Sequence, residues 1–320
     1  MSVLQHDKIA IVGTGLVGAT CAFTLADSGL ASELVLVDVN KARAEGEAMD
    51  IAHGAAFMPP VQVRSGDYED CAGAALVILA AGVNQKEGET RLDLMNRNMA
   101  IYRQIIPILE EQCPDAVFLI VANPVDLLTH ISAIMLDHLP SGRVIGSGTV
   151  LDTSRYRLLL SQHTGIDPRN IHGYILGEHG DSEFAAWTLT SVAGMDLMDF
   201  CHQCGACDRH LSDVVRNEIY QDVRDAAYDV ISRKGATYYA VALAVRRIAE
   251  AILRDEKAVL TVSTHVQGYL DLPDVSLSLP CVVGKGGVER VLPVALSGEE
   301  MLLLHASANK LRAALDELNL

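Results

Sequence analysis

Three segments gather the groups needed to hold a small carboxylate and deliver a proton to a neighbouring carbonyl. Leu151-Asp152-Thr153-Ser154-Arg155 sets a carboxylate and a guanidinium at i and i+3, on one face of a helical pattern. Gly177-Glu178-His179-Gly180-Asp181 follows the apolar run 171–176 and leaves a histidine on a glycine-flanked strand end. Residues 82–93 form a glycine-bracketed polar loop that carries Gln85 near its start and Arg91 near its end, the make-up of a lid that closes over a ligand and excludes water. The planar fork of Arg155 suits bidentate carboxylate binding, and Arg91 can meet negative charge developing on a carbonyl oxygen. His179 can give or take that oxygen's proton, with Asp152 on the other ring nitrogen fixing the tautomer. Singly, such residues are usually turn histidines and surface ion pairs. Their chemistry requires all of them together, and a source of electrons.

Gly13-Thr14-Gly15-Leu16-Val17-Gly18 supplies a place for that source. It lies directly after a short β-branched run and directly before a helical pattern. In that context the first glycine permits a tight turn, the second lets backbone approach a pyrophosphate, and the third lets helix pack on strand. Leu16 and Val17, inside the same motif, are expected to line the cofactor with the glycines. The next apolar run ends in Asp38, 20 residues after Gly18, where a carboxylate binds the adenosine ribose hydroxyls and repels a 2′-phosphate. NAD is therefore the expected cofactor, and hydride transfer to a 2-oxo acid the expected reaction.

The elements that must position these groups follow from patterning. Residues 8–12, 33–38, 75–81 and 117–122 are short continuous apolar runs separated by helical patterns, as expected of parallel strands buried on both faces. The fold class expected is α/β, a Rossmann doubly wound parallel sheet followed by an α+β substrate domain. The pattern changes near Gly146, which divides the chain into a cofactor domain, 1–146, and a substrate domain, 147–320. Helices are expected over 208–232 and 236–254, and strands over 259–263 and 277–283. Gly284-Lys285-Gly286-Gly287 lies between β-like runs and reads as a turn, not a phosphate loop.

Composition limits the partners. Lys plus Arg number 25 against 41 Asp plus Glu, a formal charge of −16, which repels nucleic acid and anionic membrane surfaces. No apolar run approaches the roughly 18 residues needed to cross a bilayer, so a cytoplasmic location is expected. The seven cysteines are an odd number, and most lie in apolar segments as reduced thiols. Cys201, Cys204, Cys207 and His210 have metal-like spacing but lack the second ligand pair of a zinc site and the further Cys-Pro of an iron–sulfur site. No metal is expected there, and the segment reads as a polar connection before a helix.

With Asn84-Gln85-Lys86, Arg91-Leu92-Asp93-Leu94, Val121-Ala122-Asn123-Pro124-Val125-Asp126 and Lys234-Gly235-Ala236-Thr237 added to these motifs, nearly the whole chain resembles the NAD-dependent L-lactate dehydrogenase family, of the bacterial allosteric type, within the lactate/malate dehydrogenase superfamily. The resemblance implies His179 as proton donor and acceptor, Asp152 as its orienter, Arg91 as carbonyl polariser and Arg155 as carboxylate anchor. It places Asn123 beside the nicotinamide and the substrate oxygen, Ser147 by the nicotinamide and Thr237 by the substrate, and adds Tyr68, Gly82 and Val121 to the cofactor envelope. Malate dehydrogenases resemble one another in carrying arginine where this loop has Gln85. A neutral Gln85 leaves a second substrate carboxylate without a counter-charge on closure, so pyruvate is expected over oxaloacetate. Malate or another L-2-hydroxy acid is the alternative, since Lys86 is adjacent. Arg157 and His172 match positions at which many bacterial members bind fructose 1,6-bisphosphate between subunits, and the match implies a homotetramer. The reading from a different class is a non-catalytic NAD- or metal-binding regulator using 201–210 as its sensor.

Overall fold

The computed structural model describes residues 7–83, 91–205 and 211–318. Gln85, Lys86, Cys207 and His210 lie outside the described residues, and Arg91 is described only as the first residue of a helix. The first half runs β1 (Lys8–Val12), α1 (Leu16–Ser28), β2 (Glu33–Val37), α2 (Lys41–His53), β3 (Gln62–Ser65), β4 (Leu76–Leu79), α3 (Arg91–Gln112), β5 (Val117–Ile120), α4 (Val125–Met135) and β6 (Val144–Gly146). The second runs α5 (Val150–Thr164), β7 (Ile171–His172), β8 (Ile175–Leu176), β9 (Phe184–Ala185), β10 (Ser191–Val192), β11 (Met195–Asp196), α6 (Leu197–Cys204), α7 (Asp213–Lys234), α8 (Tyr239–Leu253), β12 (Ala258–Leu260), β13 (Ser263–Val266), β14 (Val275–Ser278), β15 (Cys281–Gly284), β16 (Gly287–Val291) and α9 (Gly298–Glu317).

Strands β1 to β6 are parallel in the order 3-2-1-4-5-6, the doubly wound arrangement of dinucleotide-binding folds. Their continuous apolarity has a direct cause. Ile9, Ile11, Leu34, Leu36, Leu76 and Ile78 enter one core cluster, while Ala10, Val12, Val35, Val37, Val77 and Leu79 enter another on the opposite face. Side chains alternate faces along a strand, so a sheet covered on both sides cannot alternate polar and apolar residues.

Three expectations need correction. The run 259–263 is two strands in two sheets: β12 pairs with β15, and β13 pairs with β6 and β14. The chain changes sheet at Thr261, whose carbonyl accepts the Thr149 N–H at 3.1 Å and whose hydroxyl lies 3.0 Å from that of Thr153. The run 277–283 is likewise β14 and β15, divided before Cys281 at Pro280, which has no N–H to give a ladder. Cys201 and Cys204 lie in helix α6 rather than in a polar connection. Asp196 caps that helix by accepting the Met198 N–H at 2.8 Å, Gly205 ends it in the left-handed conformation, and Leu197 and Cys201, one turn apart, are buried. The glycine-rich segment 284–287 is the tight connection between β15 and β16, paired Gly284 to Gly287.

Patterning did not anticipate how the halves join. Antiparallel strands β13 and β14 extend the parallel sheet beyond β6 to eight strands, and α8 packs on α1. Among the described residues no helix is long and apolar enough to cross a membrane.

Candidate active site

The residues expected to bind the cofactor lie at the carboxyl ends of the parallel strands, where ligands of open α/β sheets bind. Gly13 follows β1 with φ +96°, and its N–H donates to Val37 O at 2.8 Å; a Cβ there would come within 2.4 Å of Ala81 N. A Cβ on Gly18 would sit 1.8 Å from Gly13 O, so this glycine allows α1 to lie against the turn. Gly15 differs, since a Cβ there would meet no protein atom within 4 Å. It is the N-cap of α1, with no side-chain cap and no acidic residue in the first turn. Open space at an uncapped helix N-terminus is where a pyrophosphate fits. Asp38 accepts from Thr14 N at 2.7 Å and from Asn40 N at 2.9 Å, which fixes its carboxylate beside the glycine turn. Tyr68 lies close by; burial and the charges of Cys71 and Asp38 raise its phenol.

Val17, Gly82, Val121 and Asn123 come together, with Ala80 and Leu94, around a cavity of about 260 Å³. Sequence reasoning missed the residue that shapes it. Asn98, fully buried on α3, accepts the Val83 N–H at 2.8 Å and donates to Asn123 O at 3.2 Å, so one side chain ties the loop after β4 to the loop after β5. A polar residue inside an otherwise apolar helical face was the available signal. Ser147 follows β6 directly and donates its N–H to Ile120 O at 2.8 Å. The residues expected at the cofactor site thus fit a dinucleotide.

His179, Asp152 and Arg155 form one cluster. His179 Nδ1 lies 2.7 Å from Asp152 Oδ2, and Arg155 Nη1 donates to Asp152 Oδ1, also at 2.7 Å. Asp152 is 2% exposed, whereas a quarter of the His179 side chain reaches solvent. Local structure explains the meeting. Asp152 sits in the first turn of α5, and Thr149 at its start donates to Ile175 O at 2.5 Å, which pins β8 to that helix. Beyond β8, Gly177 at φ +93° exchanges backbone hydrogen bonds with Ser278, turning the chain so that His179 faces Asp152. Burial opposes charge on both partners. On His179 the Asp152 charge and hydrogen bond overcome it and raise the imidazole to about 9. On Asp152, His179 and Arg155 overcome it and hold the carboxyl below its usual range.

Two further carboxyls were missed as members of the site. Asp126, in the first turn of α4, accepts the His179 N–H at 2.6 Å, and burial pushes its carboxyl up to about 6. Glu183, 3% exposed, lies with its carboxylate within 4.8 Å of His179 and Asp152 ligand atoms. Burial and then Asp152 push Glu183 well above the usual range, which favours its neutral form. Only spacing along the loop, four residues beyond His179, hinted at Glu183. Thr237 is half-buried in the connection between α7 and α8, and no described contact joins it to His179. The side chains of Gln85 and Arg91 lie outside the described residues.

Arg157 leaves α5 on another face from Arg155. Its Nε donates to Gly173 O at 3.1 Å and its guanidinium stacks 5.5 Å from the Tyr174 ring centre. That contact brings it to the segment that carries His172, an exposed residue on β7 paired with Ser191. Arg157, Arg169 and Arg247 line one cavity of about 350 Å³.

Residues 7–146 match the NAD binding domain of lactate/malate dehydrogenase, and residues 149–319 match the alpha/beta C-terminal domain of lactate/malate dehydrogenase. The chain is 53% identical over 315 residues to L-lactate dehydrogenase 1 of Clostridium acetobutylicum, covering 98% of this chain and 99% of that protein. It is 50% identical over 313 residues to an L-lactate dehydrogenase of Acetivibrio thermocellus, covering 98% of each. Among solved structures, a lactate dehydrogenase from a Medee basin deep-sea metagenome library superimposes with a TM-score of 0.94 at 43% identity, covering 98% of this chain and 99% of that one. The ligand-bound minor L-lactate dehydrogenase of Enterococcus mundtii gives 0.92 at 43% identity, covering 97% and 98%.

Proposed function

Because the chain belongs to the lactate/malate dehydrogenase family and is an NAD-dependent oxidoreductase, we propose that it is an L-lactate dehydrogenase that interconverts pyruvate and L-lactate, with His179 as the proton donor and acceptor. The observation that carries the mechanism is the buried Asp152 held between His179 Nδ1 and Arg155. Glycines 13, 15 and 18, Asp38, Tyr68 and the cavity formed by Val17, Gly82, Val121 and Asn123 would hold NAD, with Ser147 beside the nicotinamide. When bound, the cofactor supplies or accepts the hydride. Arg155 binds the substrate carboxylate, which fixes the 2-carbon. Arg91 and Asn123 meet the carbonyl oxygen, Thr237 borders the pocket, and His179, charged through Asp152, gives that oxygen its proton and takes it back in the reverse direction. The cofactor unit, 1–146, and the substrate unit, 147–320, belong to the same proposal, as does a cytoplasmic location.

The pH dependence has a definite sign. Pyruvate reduction consumes a proton from charged His179, so its kcat/KM should hold below about pH 9 and fall as pH rises through that value. Lactate oxidation needs the neutral ring and should rise through the same value. Asp152→Asn removes the group that raises His179, so both inflections should move to lower pH, as measured by initial rates of NADH absorbance. Unmoved inflections would reassign the titrating group.

Gln85 is the proposed specificity residue, by the charge it lacks. Gln85→Arg should raise kcat/KM for oxaloacetate relative to pyruvate by about tenfold or more, since a carboxylate then closes against a partner instead of an empty site. An unchanged ratio would sink the lid assignment.

We also propose fructose 1,6-bisphosphate as an effector bound by Arg157 and His172 between subunits of a homotetramer. In support, Arg157 is held by a carbonyl and an aromatic face beside the His172 segment, and it shares α5 with Arg155. Pyruvate saturation curves should shift to lower concentration when the bisphosphate is added, and Arg157→Gln should abolish the shift; superimposable curves for the unsubstituted protein would remove the effector site.

A further inference from the structure

His130 presents a chemical problem that the reaction does not use. It lies on the inner face of α4, 1% exposed, and neither ring nitrogen has a hydrogen-bond partner among the described residues. A neutral imidazole carries one N–H and one lone pair, and buried groups of either kind are nearly always matched. Protonation does not resolve the mismatch, because burial and the neighbouring His265 lower His130 to about 4. Its lone pair is therefore available at neutral pH.

The surroundings supply complementary donors. His265 on β13 and Asp274, just before β14, each place a ligand atom within 4.8 Å of one another and of a His130 nitrogen. The two rings meet edge to face, 5.2 Å apart at 77°, and His265 Nε2 lies 2.5 Å from Asp274 Oδ1. The His265 side chain is 26% exposed and that of Asp274 46%, so the cluster opens to solvent on one side. Arg312 beside it donates to Asp274 O at 3.1 Å and is paired with Asp316 at 2.7 Å, which offsets its repulsion.

We propose that His130, His265 and Asp274 bind one divalent transition-metal ion of the Zn²⁺ class, clamping α4 to the antiparallel strands β13 and β14. Two imidazoles and a carboxylate are donors for a borderline metal, whereas Ca²⁺ and Mg²⁺ prefer oxygen alone. Three protein ligands with one water make a four-coordinate site. Ligand bonds of about 2.0–2.2 Å require the three donors to draw together and the His265–Asp274 hydrogen bond to open. The partial exposure of both side chains permits that movement. The clamp is distinct from the proton chemistry, although α4 also carries Asp126, which holds the His179 backbone.

Chelator-treated full-length protein should be titrated with Co²⁺, following ligand-field absorption, and with Zn²⁺, following the thermal midpoint. Expected are one Co²⁺ per chain with nitrogen and oxygen ligation, without the sulfur charge-transfer band of a thiolate site, and a midpoint that climbs with Zn²⁺ concentration. His265→Gln and His130→Phe should each weaken binding at least about tenfold. The phenyl ring keeps the buried volume and needs no partner, so that variant tests ligation without opening a cavity. The cluster of Asp152, His179 and Glu183 also has metal-like spacing, so His179→Gln serves as a control and should retain the ion. Absence of binding, a thiolate spectrum, binding unaltered in both His130→Phe and His265→Gln, or loss only in His179→Gln would each overturn the site.

Discussion

Replacing His179 with glutamine is expected to lower kcat/KM for pyruvate by about 10²- to 10⁴-fold, the range supplied by a positioned acid or base, while NADH still binds. In the proposed mechanism the imidazole is the proton source, and it contacts Asp152 at 2.7 Å. Glutamine can keep a hydrogen bond to Asp152 but carries no titratable proton. The loss should therefore appear mainly in kcat, with the dissociation constant for NADH, read by fluorescence, changed little because the glycine turn and Asp38 lie on other elements. A variant that keeps more than a tenth of normal kcat/KM would show that the proton travels by another route. The residual carboxylates also matter. Without the imidazolium, buried Asp152 retains Arg155 as its counter-charge, so the fold should survive the substitution.

Arg155→Lys is expected to be nearly as damaging, although it conserves charge. Arg155 is 15% exposed and donates to Asp152 through Nη1 at 2.7 Å, so under the proposed mechanism one guanidinium must both pair with Asp152 and meet the substrate carboxylate. A planar fork can divide its donors between two carboxylates; a lysine ammonium is a point charge on a flexible stem. A lysine that satisfies one carboxylate leaves the other without its hydrogen-bonded partner, a loss of up to about 2–5 kcal/mol, roughly 30- to several-thousand-fold in kcat/KM. Both KM and kcat should suffer, because the anchor supplies affinity and orientation together. Initial rates over a range of pyruvate concentrations would measure the division. A change confined to KM would mean that the carboxylate is bound but orientation comes from elsewhere.

The residues legible without a structure were those whose function is written into local context. Gly13 and Gly15 lie between an apolar strand and a helix that takes in Gly18, Asp38 follows the next strand, and Asp152 and Arg155 are one helical turn apart. Strands buried on both faces announced themselves through unbroken apolar runs. Asp126, Asn98 and Glu183 were not legible as site members because their roles depend on distant partners: Asp126 serves His179 from 53 positions away, and Asn98 ties two loops that follow different strands. The same reason hid the split of 259–263. An apolar run records that it is buried, but not which of two sheets it joins. The clustering of Arg155, Asp152 and His179 was anticipated by chemistry, whereas the direct bond between Arg155 and Asp152 was expected only as a shared helix face.

The pairing of β13 with β6, Ser263 opposite Gly146 and Thr264 opposite Ile145, bears on whether the protein can be taken apart. A chain ended after Gly146 would leave β6 as a bare edge of unpaired amides and carbonyls and would strip α8 from α1, exposing a template for self-association. The reciprocal piece would carry a two-stranded hairpin with nothing to dock against. The two halves are thus poor candidates for independent expression, exchange with counterparts, or fusion as stand-alone cofactor modules. Reassembly by mixing the fragments would have to restore a strand pairing across a break in the chain.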